Sequence, residues 1–190
     1  MPIRLEILFV ACLLMCSAAV HAEEAAGAAF QVVETETFDD EDFIFPDDCN
    51  GSSLNILFLA LSDDQDNGQY QQEALLAWHA ALEAEGVFSA AVKPYHFPVL
   101  KSPPFFVKGI IAGAMSDSYE GKVPLDQAGV MFIKDLSDFA AAAKIPLDSK
   151  PTIIIASAEG VPQDMFKGEV GEDGIAAIKA AISERSGTAP

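Results

Sequence analysis

Cysteine is scarce in this 190-residue chain: Cys12, Cys16 and Cys49 are all it has. Two of them fall in a leader, so the remainder of the chain keeps Cys49 alone and cannot close an internal disulfide. Basic residues are few as well, 11 Lys and Arg against 29 Asp and Glu, for a net charge of −18. That balance excludes nucleic acid, whose binding rests on phosphate neutralisation by cations, and an anionic membrane surface. Long apolar runs are missing too. The stretch Ile7–Met15 is too short to span a bilayer, which takes about 20 residues, and no later run is long enough. Stable membrane insertion is therefore not expected.

The leader has its own layout. Arg4, the apolar Ile7–Met15 and the small-residue Val20-His21-Ala22 are the three parts of a secretory signal peptide. Residues 1–22 are read as cleaved and the protein as periplasmic. Acylation at Cys12 or Cys16 is disfavoured, because Phe9 and Met15 fit a lipoprotein signal poorly. Residues 23–53 read as an acidic tail and lead-in. Its Phe38, Phe43, Ile44 and Phe45 are too apolar for pure disorder, so part of it is expected to pack on the body as an edge strand, with Pro46 at a boundary.

From Leu54 to Arg185 the pattern alternates. Residues 54–61 are continuously apolar, as in a strand buried on both faces. A helix comes next, from about Gln69 to Glu85, with Leu75, Trp78, His79 and Leu82 at helical spacing and Gly86 as its stop. Residues 87–93 read as a second strand and "KPYHFP" as the loop that closes it. Ser102-Pro103-Pro104 opens an apolar helix. Then come a strand at 129–135, a helix at 136–144, a strand at 151–157, a turn at Glu159-Gly160, a strand at 163–169 and a helix at 172–185. Residues 186–190 are a short tail. Strands alternating with helices, plus a final hairpin, give an α/β fold with a mixed central sheet.

Lys150-Pro151-Thr152 before "IIIA", the turn at Glu159-Gly160, Phe166-Lys167-Gly168 before the last helix and Asp135-Leu136 at a helix start carry a resemblance. In this order they resemble the thioredoxin-fold superfamily, in its peroxiredoxin/TlpA-like branch. Within it the chain is most similar to exported YtfJ-type proteins that lack the Cys-x-x-Cys motif. The resemblance implies a three-layer α/β/α sandwich over residues 54–185 with an acidic N-terminal extension. It also implies a cis-proline, for which Pro151 is the candidate, facing the loop after the first strand.

In thioredoxins that loop carries two cysteines at a helix N-terminus, where dipole and amides lower the thiol pKa. Here it reads Ser62-Asp63-Asp64-Gln65-Asp66-Asn67-Gly68, with no sulfur. The expected function is therefore a redox-inactive binding or accessory module with a protein partner and no cofactor. Its surface would comprise Asp63, Asp64, Asp66, Asn67 and Pro151, with Tyr95 and His96 from the neighbouring loop. Two alternatives stand beside it. Cys49 could act as a lone thiol in disulfide- or peroxide-linked exchange. Asp63, Gln65 and Asn67, followed by Gly68, also match the first half of a calcium loop; position 12, however, is Ala74 where a bidentate carboxylate is required. Helix capping explains the acids without any metal.

Three further features have ordinary explanations. "GEVGEDG" at 168–174 has the wrong spacing and charge for a phosphate cradle. Gly109 and Gly113 suit close packing of the apolar helix, or a partner face on it. His79 reads as a helix-face residue, with no ligand partner at i+3 or i+4.

Overall fold

The computed structural model describes residues 23–24, 27–50 and 52–187; residues 1–22, read above as a signal peptide, and 188–190 lie outside them. Five strands form the central sheet: β1 (Glu23–Glu24), β4 (Leu54–Leu59), β5 (Val92–His96), β8 (Thr152–Ser157) and β9 (Pro162–Lys167). They lie in the order β1-β9-β8-β4-β5. β4 pairs parallel to β5 and antiparallel to β8, and β9 is antiparallel to both β8 and β1. The sheet is mixed, as the sequence pattern requires. β6 (Val99–Lys101) and β7 (Met131–Ile133) form a parallel pair that abuts the sheet through bridges Leu61–Val99 and His96–Ala128.

β4, apolar except for Asn55, divides its side chains between two faces, as strand geometry demands. Leu54, Ile56 and Phe58 face a layer made by α1 (Gln65–Ala84) and α4 (Glu172–Arg185), joined by Ile153 and Ile155 of β8 and by Leu75, Trp78, Leu82 and Ile178. Leu57, Leu59 and Leu61 face the other layer, with α3 (Leu136–Ala142) contributing Phe139 and Ala140. That second layer is completed by a hairpin of β2 (Val33–Glu36) and β3 (Asp42–Phe45). Alternation in β3 turns Phe43 and Phe45 inward and leaves Asp42 and Ile44 exposed. The lead-in around Phe43 and Phe45, expected to pack on the body as an edge strand, packs there as a hairpin of its own and supplies core residues upstream of residue 54.

Several boundaries differ from the sequence reading, each for a local reason. α1 starts at Gln65, four residues early, because the Asp64 carboxylate caps it by accepting from the Asn67 N–H at 2.8 Å. The second strand covers 92–96, not 87–93. The backbone folds back at Ser89, which exchanges hydrogen bonds with Val92, and the chain extends only afterwards. Pro94 is tolerated because β5 is an edge strand of its sheet, where a missing N–H breaks no ladder. α2 (Phe105–Tyr119) comes after β6, a short strand that the sequence reading did not separate from the loop.

At the far end of the hairpin β8–β9, Gly160 adopts φ +73°, and a Cβ there would sit 2.7 Å from the Pro46 side chain. Both turn and close approach need glycine at this position. The cis peptide bond among the described residues is Phe45–Pro46, at the end of β3. Lys150–Pro151, expected to be cis, is not. There the ordinary trans preference of X-Pro bonds prevails, and the Pro151 carbonyl accepts a hydrogen bond from the Gly168 N–H at 3.1 Å.

Candidate functional site

The mouth lies where β4 ends, α1 begins and the segment before β8 returns. Asp63, Asp64 and Asp66 are all exposed there, and Asn67 is half-buried. Asn67 links the two sides: its Nδ2 donates to the Ser149 carbonyl at 3.1 Å, and its Oδ1 accepts from Gln71 Nε2 at 2.7 Å. Gln71 itself is buried, and its carboxamide takes both backbone groups of Leu61. Its Nε2 donates to the Leu61 carbonyl at 3.0 Å, and its Oε1 accepts from the Leu61 N–H at 3.1 Å. The side chain therefore acts as a one-residue strand that fixes the last residue before the loop.

The facing segment is held from behind. Lys167 Nζ pairs with Asp148 at 2.8 Å and donates to the Pro146 carbonyl at 2.9 Å. The Lys150 N–H donates to Asp148 Oδ1 at 2.9 Å. Nearby, the Tyr70 hydroxyl donates to Glu169, tying the first turns of α1 to the segment after β9. The result is a pre-formed rim of three exposed carboxylates on hydrogen-bonded backbone.

The sequence-nominated residues divide clearly. Asp63, Asp64, Asp66 and Asn67 do meet at one rim. Pro151 is buried beneath it rather than displayed. Tyr95 and His96 are not on a loop at all; they belong to β5, where alternation sends Tyr95 into one core layer and His96 toward Phe58 on the other. Burial pushes the Tyr95 hydroxyl up to about 12, so it stays protonated. The residues of the calcium-loop alternative lie partly in a helix. Gln65 and Asn67 lie in the first turn of α1, and the Asn67 amide is engaged by Gln71 and Ser149.

Cys49 sits in the turn after β3, with no exposed surface, inside the core cluster with Phe45, Leu57 and Tyr95. Burial first, then the carboxylates of Asp48 and Asp47, raise its thiol far above the usual cysteine range. A thiol in that setting supplies neither thiolate nor access. The turn is held by Asn55, a buried β4 residue whose Nδ2 donates to the carbonyls of Cys49 and Ser157 and whose Oδ1 accepts from the Ser52 hydroxyl.

The functional groups that sequence reasoning missed are Gln71 and the partner of His96. His96 Nε2 and His79 Nδ1 lie 2.9 Å apart in a buried pair, with the His96 ring stacked on Phe58 at 4.2 Å. Burial lowers the pKa of both, and for His96 the neighbouring His79 adds to the effect. Spacing along the chain could not reveal either feature, because each depends on a strand meeting a helix.

This architecture, a mixed sheet layered by helices with its mouth at the β4–α1 junction, is thioredoxin-like. Among solved structures it is similar to BsSco, a member of the Sco family of cytochrome c oxidase assembly proteins, with a TM-score of 0.55 and 9% identity over 88% of this chain and 98% of that one. Yeast Sco1 with copper bound gives 0.52 and 11%, covering 82% of this chain and 93% of that one. Reduced 2-Cys peroxiredoxin from Plasmodium vivax gives 0.52 and 13%, covering 86% and 83%. At such identities the likeness establishes the fold alone. No protein-family model matches the chain, and no curated protein matches its sequence.

Proposed function

We propose that this protein is an exported thioredoxin-fold binding module, similar to the YtfJ type, that engages a protein partner at its mouth without dithiol chemistry. The observation that carries this reading is the chemistry of the mouth: oxygen and amide groups occupy the β4–α1 junction, and the one cysteine outside the leader is sealed in the core. Gln71, Asn67 and Lys167 pre-form the rim, so little ordering opposes binding. Asp63, Asp64 and Asp66 favour a partner surface carrying Lys or Arg, which they would steer toward the mouth. Export and leader cleavage rest on Arg4, the apolar Ile7–Met15 and the small residues before Glu23.

The test is site-specific photo-crosslinking in cells that secrete the full chain. A photoreactive residue at Asp63 is expected to give a discrete adduct, lost on Asp64→Lys plus Asp66→Lys, while one at Glu184 gives none. Equal yields from both positions, or none from Asp63, would remove the basis for a mouth-directed partner.

A further inference from the structure

A concavity lies well away from the mouth. His79 is fifteen residues along α1 from Asp64, about 22 Å at 1.5 Å per residue. Beside it, α1, β5 and the turn after α2 enclose a cleft of about 300 Å³, at the small end of the range for ligand sites. Five polar side chains line it, namely His79, Glu83, Ser89, Lys93 and Gln127, with Phe88 and Pro94 among its apolar walls.

Ser89 Oγ accepts from the Ala91 N–H at 3.2 Å; each of the other four is left with unused capacity. The Gln127 Oε1 is buried and accepts no hydrogen bond among the described residues. Glu83 is exposed and Lys93 half-buried, and neither joins an ion pair among the described residues. The histidine pair sets the fourth. His96 Nδ1 is buried without a partner among the described residues, and a bare acceptor nitrogen is tolerated there better than an orphaned N–H. His96 is therefore protonated at Nε2 and donates to His79 Nδ1. This leaves the His79 ring proton on Nε2, a donor with no partner among the described residues. The cleft thus offers one cation, one anion, one N–H donor and one carbonyl acceptor.

We propose that this cleft binds a small zwitterion of amino-acid size. Its carboxylate is taken by Lys93 and the His79 Nε2–H, and its ammonium by Glu83 and the Gln127 Oε1. A simple anion would face Glu83, a simple cation would face Lys93, and a neutral molecule would leave both charges desolvated. A dipolar molecule satisfies all four groups together. This inference does not depend on the proposed role of the mouth.

Calorimetric titration of the wild-type protein with the twenty common amino acids tests it directly. For the amino acid that binds best, the N-acetyl derivative and the carboxamide each remove one charge. Both are expected to bind at least about tenfold more weakly, the cost of one charge-assisted hydrogen bond. Glu83→Gln and Lys93→Met should weaken the parent amino acid by a similar factor. The bound carboxylate should also shift the His79 ring nitrogen signals in a nitrogen-15 spectrum. If no amino acid binds, or if the single-charge derivatives bind as well as the parent, the proposal is wrong. The derivative series needs no variant, so it stands even where a substitution disturbs folding.

Discussion

Gln71 does for Leu61 what a neighbouring strand does elsewhere, satisfying a buried N–H and a buried C=O with one carboxamide. Gln71→Ala would orphan both groups, each costing about 1–3 kcal/mol. A loss of about 2–4 kcal/mol by chemical denaturation is expected, whereas Gln72→Ala, one residue on and only half-buried, should cost under about 1 kcal/mol. The histidine pair carries a different signature. His79 and His96 titrate below 6.5 when folded, so the unfolded chain binds more protons just under that pH. Stability from this pair is complete above about pH 6.5 and is lost as pH falls toward their depressed folded values. Glu83 opposes this for His79 by raising its pKa, without reversing the sign. Unfolding midpoints taken between about pH 7.5 and 5.5 should fall with acid in the wild type, and fall less steeply in His96→Phe.

Among the elements, α4 meets α1 through one contact that requires glycine. A Cβ on Gly174 would stand 2.4 Å from the Trp78 ring, while Trp78 Nε1 donates to the Gly168 carbonyl at 2.8 Å. Gly174→Ala must therefore push the helix from the indole. It is expected to cost about 1–3 kcal/mol and to alter the emission of the single tryptophan, measured by fluorescence-monitored unfolding. The same physics decides which elements could be read from sequence. β4, β8 and α4 were legible because their apolar pattern is unambiguous: two-faced burial in the strands, helical period in α4. β5 was not, because Pro94 signals a loop wherever the pairing partner is unknown. The start of α1 was missed because Asp64, Asp66 and Asn67 suit a loop and a helix cap equally. The Asn67–Ser149 bond joins residues 82 apart, and the His79–His96 pair joins a helix to a strand. No local pattern encodes such meetings.

At the scale of the whole molecule, a thioredoxin-like sheet stands behind a β4–α1 junction that carries no Cys-x-x-Cys. The mouth holds carboxylates and amides. The Cys49 sulfur lies in a core layer that also contains Phe43, Phe45 and Phe139. The net charge of −18 keeps such a molecule apart from its own copies and biases it toward cationic partners. In the proposed reading, this fold binds at its mouth and transfers no electrons there. Reduction of insulin disulfides under excess dithiothreitol, with wild type and Cys49→Ala side by side, decides the point. Both proteins are expected to leave the rate at the uncatalysed baseline. A wild-type rate clearly above that baseline, abolished in Cys49→Ala, would show that the buried sulfur turns over and that the binding-only reading is wrong.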